Sequence, residues 1–72
     1  MPLKEQLEGL IDAMVAKGVR YTDAQREFEK KFIAHVLSQS EGNLGKAAEV
    51  LGIHRNTLSR KIAEYHLRRQ AS

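Results

Sequence analysis

The 72-residue chain contains no cysteine, so disulfide bonds and thiolate metal sites are excluded. It also has no apolar run close to the ~20 residues that are needed to cross a bilayer. Its first residues alternate charged with apolar side chains, which is not the pattern of a signal peptide. Internal repeats and low-complexity segments are absent as well. We therefore expect one soluble, cytoplasmic domain over residues 1–72, with no membrane partner.

The short length limits the core that one copy of the chain can build. A helical domain of 72 residues buries little apolar surface to offset the entropy lost on folding, so a monomer of this size is marginal. Oligomerisation is therefore expected on length alone.

Charge is distributed unevenly along the chain, although the net charge is only +3. Residues 1–42 carry six basic and seven acidic side chains, whereas residues 43–72 carry six basic and two acidic ones. A neutral half joined to a basic half suggests a scaffold and a surface for a polyanion. The charge pattern alone is equally compatible with an accidental asymmetry.

Apolar periodicity predicts two amphipathic helices in the first half of the chain. In the first helix, apolar residues recur at steps of three and four, which places them along one stripe. These residues are Leu3, Leu7, Leu10, Ile11, Met14 and Val15. Gly18 and Val19 are expected to end this helix in a Schellman motif. A capping box from Thr22 to Gln25 is expected to begin the second helix, which runs to about Ser38.

The second helix has an apolar face that includes two aromatic residues. This face is formed by Ala24, Phe28, Phe32, Ile33, Val36 and Leu37. Aromatic side chains at helical spacing are typical of a core rather than of a cofactor site. We interpret both stripes as core packing, and the first stripe is wider than a single neighbouring helix would need.

A helix-turn-helix pattern follows the break around Gly42. Asn43 is a strong N-cap for a short helix over about 44–51, and Gly52 supplies the turn into a helix over about 55–65. Ala48 lies four residues before Gly52, where the two helices must cross closely, so that a larger side chain would push them apart. This register is typical of proteins that place the second helix in the major groove of DNA.

The outward face of the last helix is polar and basic. If Leu58 points inward, the residues that point away or flank this face are His54, Arg55, Asn56, Thr57, Ser59 and Arg60. Such groups can bond to base edges and phosphates, and they lie in the half of the helix that enters the groove. Lys61 lies to one side, at the height of the phosphate backbone. The helix N-terminus behind Asn43, together with Lys46, is expected to hold a second phosphate. His54 is expected either to donate to a phosphate or to cap the last helix.

A protein-interaction module is the alternative from a different class. It would be a dimeric helical adaptor whose basic end binds an acidic protein or RNA. The arrangement around Gly52 favours double-stranded DNA, because an adaptor gains nothing from a helix held at that angle.

The pattern between Gly42 and Tyr65 resembles that of a known family. It consists of Gly42-Asn43, Ala47-Ala48, Leu51-Gly52-Ile53, Arg55, Thr57-Leu58, Lys61-Ile62 and Tyr65. The chain is similar here to the Fis family, which includes the nucleoid-associated Fis protein and the carboxy-terminal domains of NtrC-type enhancer-binding activators. The two preceding amphipathic helices extend the resemblance to nearly the whole chain.

The resemblance implies a bacterial homodimer whose first two helices intertwine with those of the partner. It also implies a recognition helix from each subunit in successive major grooves, usually of bent DNA. By matching position, the implied DNA contacts are Asn43, Arg55, Thr57, Arg60 and Lys61. Gly45 and Ser59 depart from the pattern, since many relatives have threonine or a basic residue at the first position and nucleoid Fis has arginine at the second. These departures imply weaker or differently selective binding.

We therefore predict an all-α subunit of four helices. Residues 1–41 would form an intertwined dimer core, residues 42–67 the helix-turn-helix, and residues 68–72 a basic tail. The predicted function is that of a transcriptional regulator or nucleoid-associated protein, with Arg55 reading a base edge of a pseudo-palindromic site. An excised carboxy-terminal domain of a larger activator is a further alternative.

Other chemistry has little support in the sequence. The three histidines, His35, His54 and His66, form no i,i+4 pair and have no nearby carboxylate ligands, so a zinc site is not expected. No nucleophile–base set and no phosphate-binding loop after a strand can be identified. We expect no enzyme activity, no cofactor and no small-molecule ligand.

Overall fold

The structure is a computed structural model that describes residues 2–67. It contains four helices, α1 (Leu3–Ala16), α2 (Tyr21–Gln39), α3 (Leu44–Leu51) and α4 (Arg55–Tyr65). No strand occurs within this range, so the predicted all-α subunit is confirmed. The predicted basic tail, residues 68–72, lies outside the described residues. No helix between residues 2 and 67 combines the length and apolar character of a bilayer span.

The end of α1 follows the predicted Schellman motif. Gly18 has a φ of +78°, and the Val19 N–H donates to the Met14 carbonyl at 3.0 Å. A positive φ of this kind favours glycine because a Cβ would be strained there. The prediction for Gly18 and Val19 is therefore confirmed.

The capping box predicted at Thr22 is wrong. The N-cap of α2 is Arg20, which has extended backbone dihedrals and makes no side-chain capping hydrogen bond. Thr22 therefore lies inside the first turn of the helix. The Schellman turn of α1 ends at Val19, and the chain resumes helical dihedrals two residues later. The geometry of the turn, rather than a capping side chain, sets the start of α2.

The end of α2 uses two left-handed residues. Gly42 has a φ of +78°, and Glu41 before it also has a positive φ, of +55°. The Gly42 N–H donates to the Leu37 carbonyl at 3.1 Å, and the Glu41 N–H donates to the Ser38 carbonyl at 3.2 Å. A non-glycine residue thus occupies the position at which helices most often carry glycine.

The core is formed by the second half of α2 together with α3 and α4. Its buried apolar members are Ile33, Val36, Leu37, Leu44, Ala47, Ala48, Leu58 and Ile62. Leu37 and Leu58 are the largest side chains that are fully buried. Leu51, Ile53 and Leu67 pack against this core from the sides. The helix-turn-helix is therefore anchored directly on α2.

The first half of the molecule is open by comparison. α1 has no buried residue, and half or more of Phe28 and Phe32 on α2 is exposed to solvent. The two phenylalanine rings lie side by side on the helix, with their centroids 5.4 Å apart. Their predicted role in a core is thus not fulfilled within one copy of the chain. An apolar groove of about 490 Å³ runs between α1 and the start of α2.

Candidate nucleic-acid interface

The N-terminus of α3 is capped as predicted. The Asn43 Oδ1 atom accepts a hydrogen bond from the Lys46 backbone N–H at 3.0 Å. Gly45 lies in this first turn, and a Cβ at its position would be 3.5 Å from the Asn43 Oδ1 atom, an ordinary contact distance. Packing within the subunit therefore does not require glycine at position 45.

The turn between α3 and α4 is fixed by backbone geometry. Gly52 has a φ of +72°, and the Ile53 N–H donates to the Ala48 carbonyl at 3.1 Å. A Cβ at Gly52 would meet nothing within 4 Å, so glycine is favoured by its conformation and not by lack of space. Ala48 is buried at this turn, in agreement with the predicted close approach of the two helices.

His54 caps the start of α4. Its Nδ1 atom accepts a hydrogen bond from the Asn56 backbone N–H at 3.0 Å. An accepting Nδ1 places the proton of the neutral ring on Nε2, and the exposed side chain offers this N–H to solvent. The capping role considered from the sequence is therefore present, and the Nε2 atom is left as a possible donor to an anion.

Most of the predicted contact residues lie on the surface. Seven of the nine are exposed, and these are Asn43, Lys46, His54, Arg55, Asn56, Ser59 and Arg60. Their polar groups come from the N-terminal end of α3 and from the first half of α4. The side chains that the sequence predicts to read DNA are thus available to a ligand from solvent.

Thr57 and Lys61 differ from the others because both are half-buried. They line one side of a groove of about 380 Å³ that we call the α2–α4 groove. Its lining consists of Gln25, Phe28, Glu29, Phe32, Ile33, Leu51, Ile53, Thr57 and Lys61. One side of α4 therefore turns towards α2.

Glu29 on α2 receives two donors from α4. The Lys61 Nζ atom lies 2.9 Å from the Glu29 Oε1 atom, and the Tyr65 hydroxyl donates to the same oxygen at 2.8 Å. The hydrogen bond from Lys61, followed by that from Tyr65, holds the pKa of Glu29 below its usual value. The bond to Glu29 in turn raises the pKa of Lys61 and of Tyr65. At neutral pH the Glu29 carboxylate and the Lys61 ammonium group are thus both charged.

Sequence reasoning missed Glu29. Lys61 and Tyr65 are four residues apart, which shows that they share one face of α4. Their common partner lies on another helix, far away in sequence, and no local pattern identifies it. Within the part of the chain that the structure describes, no group of three or more histidine and acidic side chains is arranged to hold a metal ion.

Comparison with known proteins supports the assignment of the motif. Residues 24–65 match the model of the family described as "Bacterial regulatory protein, Fis family". The chain is 47% identical over 47 residues to a Fis-like DNA-binding protein of Xylella fastidiosa, covering 65% of this chain and 52% of that protein. It is 40% identical over 62 residues to the DNA-binding transcriptional regulator NtrC of Azospirillum brasilense, covering 86% of this chain and 13% of that protein.

The chain spans about half the length of the Xylella relative and a small part of the NtrC protein. No solved structure gives a significant match. The family match nevertheless covers more than half of the chain, from the first turn of α2 to the end of α4. Together with the capped turn and the four-helix architecture, it shows that the chain belongs to the Fis family of bacterial regulatory proteins.

Proposed function

We propose that this chain is a DNA-binding regulator that inserts α4 into the major groove. The observation that carries the proposal is the exposed polar face of α4. The turn at Gly52 holds α4 in place, and the opposite face of α4 packs into the buried core. Base edges and phosphates offer the acceptors and donors that such a face requires. The names of the relatives, which include DNA-binding proteins and a transcriptional regulator, support the same function.

Individual roles follow from position on this surface. Arg55, at the first turn of α4, is assigned to a base edge, where arginine pairs best with guanine. Thr57 and Arg60 divide between base and backbone contacts, and Asn56 and Ser59 supply further hydrogen bonds. Asn43, Lys46 and the Nε2 atom of His54 are assigned to phosphates.

We propose further that the protein acts as a homodimer through α1 and the first half of α2. Large apolar side chains there are exposed in one copy, among them Leu7, Leu10, Ile11, Phe28 and Phe32. A second copy would cover these side chains with residues of the same apolar chemistry.

A symmetric dimer places two recognition helices in two successive major grooves. The site would then be a pseudo-palindrome with half-sites about one helical turn apart, which corresponds to roughly 34–36 Å. Bending of the DNA would let both helices enter their grooves, at a deformation cost that depends on sequence. Light scattering at micromolar concentration tests the dimer, for which twice the mass of one chain is expected.

The test of DNA recognition is selection from a random pool at near-physiological salt, followed by salt titration on the selected site and on scrambled DNA. The Arg55→Ala variant should lose about 1–3 kcal/mol on the selected site and discriminate less between the two DNAs. Glu49→Ala is a suitable control, since it changes an exposed side chain of α3 that has no assigned contact. Unchanged specific and non-specific binding in the Arg55 variant would contradict its role as a reading residue.

A further inference from the structure

Glu29 forms a polar link that joins two different helices. Within residues 2–67, the other side-chain hydrogen bonds are local caps at Asn43 and His54, and the other ion pair joins Lys31 to Glu27 within α2. The Glu29 carboxylate, by contrast, ties α2 to two consecutive turns of α4 through Lys61 and Tyr65. It is therefore the polar contact that can fix the recognition helix relative to α2.

The setting of this link differs from that of an ordinary surface ion pair. About two thirds of each partner's side chain is covered, with relative exposures of 33% for Lys61 and 31% for Glu29. The groove that Glu29 and Lys61 line also contains the apolar side chains of Phe28, Phe32 and Ile53. Two donors that converge on one charged oxygen make a stronger and more directional contact than an isolated exposed pair.

The same contact removes Lys61 from the set of free cations. A DNA phosphate would have to compete with the Glu29 carboxylate for the ammonium group, which lies 2.9 Å from Oε1. The depressed pKa of Glu29 keeps that carboxylate ionised at neutral pH, so the competition is with a full negative charge. Lys61 thus differs from Lys46, Arg55 and Arg60, which are exposed.

We infer that Glu29 is a positioning residue for the recognition helix and that Lys61 is its anchor rather than a phosphate ligand. The inference rests on the proposed DNA-binding function and deepens it. Glu29 contributes to specificity from outside the DNA surface, because it sets the orientation in which α4 presents Arg55 and Arg60. Tyr65 adds the second hydrogen bond that keeps the carboxylate in place.

The experiment compares the variants Glu29→Gln, Lys61→Gln and the double variant of the 72-residue chain in DNA binding. If Lys61 is an anchor, both single variants should lose roughly tenfold in the ratio of affinities for selected and scrambled DNA. The double variant should lose no more than either single one, since the two residues act as one unit. The salt slope of Lys61→Gln should equal that of the wild type. If Lys61 is a phosphate ligand, its slope should fall by about 0.9 per subunit.

The Lys31–Glu27 pair supplies a matched control. Glu27→Gln and Lys31→Gln make the same charge changes on α2, close to Glu29, but the pair lies within one helix. These variants should keep the discrimination ratio of the wild type. An unchanged ratio in Glu29→Gln, equal losses in Glu29→Gln and Glu27→Gln, or a lower salt slope with full discrimination in Lys61→Gln would overturn the inference.

Thermal unfolding separates failure of this inference from failure of the proposed function. The shifts in Tm of Glu29→Gln and Lys61→Gln should be non-additive in the double variant, whether or not the protein binds DNA. Additive shifts would show that the residues do not act together and would overturn the inference. A wild-type protein that binds no DNA at any salt concentration, yet shows the non-additive shifts, would refute the proposed function and leave the link between helices intact.

Discussion

The two halves of the molecule have similar apolar stripes but very different surroundings. Every buried apolar residue of the core lies at Ile33 or later, whereas α1 buries none, although its apolar residues recur just as regularly. The difference lies in the neighbours that each stripe meets. The apolar face of the helix-turn-helix packs against the second half of α2 in the same chain. The apolar stripe on α1 and the Phe28–Phe32 pair are not buried by any part of the chain that the structure describes. The periodicity of apolar residues thus shows which helix face should be buried, but it does not show whether the same chain or another molecule buries it.

The packed half should be the more sensitive of the two to loss of apolar volume. Leu58→Ala removes a side chain that is 0% exposed and leaves a cavity beneath the turn, so we expect a loss of about 3–5 kcal/mol in the free energy of unfolding. Denaturant unfolding measures this loss. The same change at Leu3, which is 80% exposed in one copy of the chain, should cost less than about 0.5 kcal/mol when unfolding is measured at a protein concentration at which the chain is monomeric. Equal effects at the two sites would refute the contrast between the halves.

The open half should respond to charge through association rather than through folding of the helix-turn-helix. Phe32→Glu places a carboxylate on a face that the proposed dimer buries, and we expect dimerisation to weaken by at least ~30-fold, or about 2 kcal/mol. Sedimentation equilibrium measures this change. Lys30→Gln alters the net charge by the same amount at an exposed position of α2 and serves as the control. A dimer of unchanged affinity in Phe32→Glu would exclude this face from the interface.

The junction between the halves carries a local strain that can be relieved. Glu41→Gly should stabilise the protein by about 0.5–1 kcal/mol, because the left-handed backbone at φ +55° disfavours any side chain with a Cβ. Glu41→Gln retains the Cβ and should leave the midpoint of denaturation near that of the wild type. Stabilisation by both changes would indicate that the charge of Glu41, and not its backbone, is unfavourable.

Loss of the contact between Glu29 and its partners Lys61 and Tyr65 should have the smallest effect on stability, and this effect should depend on pH. Since the folded-state pKa of Glu29 is lowered, its contribution to stability is present above the unfolded-state pKa and is lost as pH falls through the folded value. The pKa of Lys61 is raised in the folded state, so the contribution of Lys61 to stability is lost only at high pH, as the pH rises through its folded-state pKa. The Tm difference between the wild type and Glu29→Gln should therefore be present at pH 7 and should shrink as the pH falls below the ordinary carboxyl range and through the lowered pKa of Glu29. A Tm difference that does not shrink as the pH is lowered would argue against an ionic link.

The sequence was sufficient to predict the motif, because its signals are local. Asn43 and Gly52 act within a few residues of their own positions, and α3 and α4 have the bounds that the pattern indicated. The predicted start of α2 was wrong because only Arg20 lies between the Schellman turn of α1 and the helix, so that Thr22 is already inside the first helical turn and cannot be the N-cap. Local side-chain chemistry was overruled there by the geometry of the preceding turn.

The features that the sequence could not predict depend on distant contacts. The orientation of Lys61 depends on Glu29, which is remote in the chain, so helical geometry alone assigned this lysine to the DNA surface. Phe28 was expected in a core on the same grounds, and in the single subunit it lies beside an open groove, because the predicted core of residues 1–41 includes a second copy of the chain. For Lys61 the helical face was identified, but its partner Glu29 in the same chain was not. The predicted contacts of Lys61 with DNA and of Phe28 with a second copy of the chain stay predictions.

The continuity of α2 has a consequence for the proposed dimer on DNA. This helix of 19 residues extends over about 28 Å, with the exposed phenylalanines in its first half and core residues of the helix-turn-helix in its second half. It contains no proline or glycine that could act as a hinge. One added residue would turn its two ends by about 100° relative to each other and lengthen it by about 1.5 Å. In a dimer, the number of residues in α2 would therefore determine the number of base pairs between half-sites.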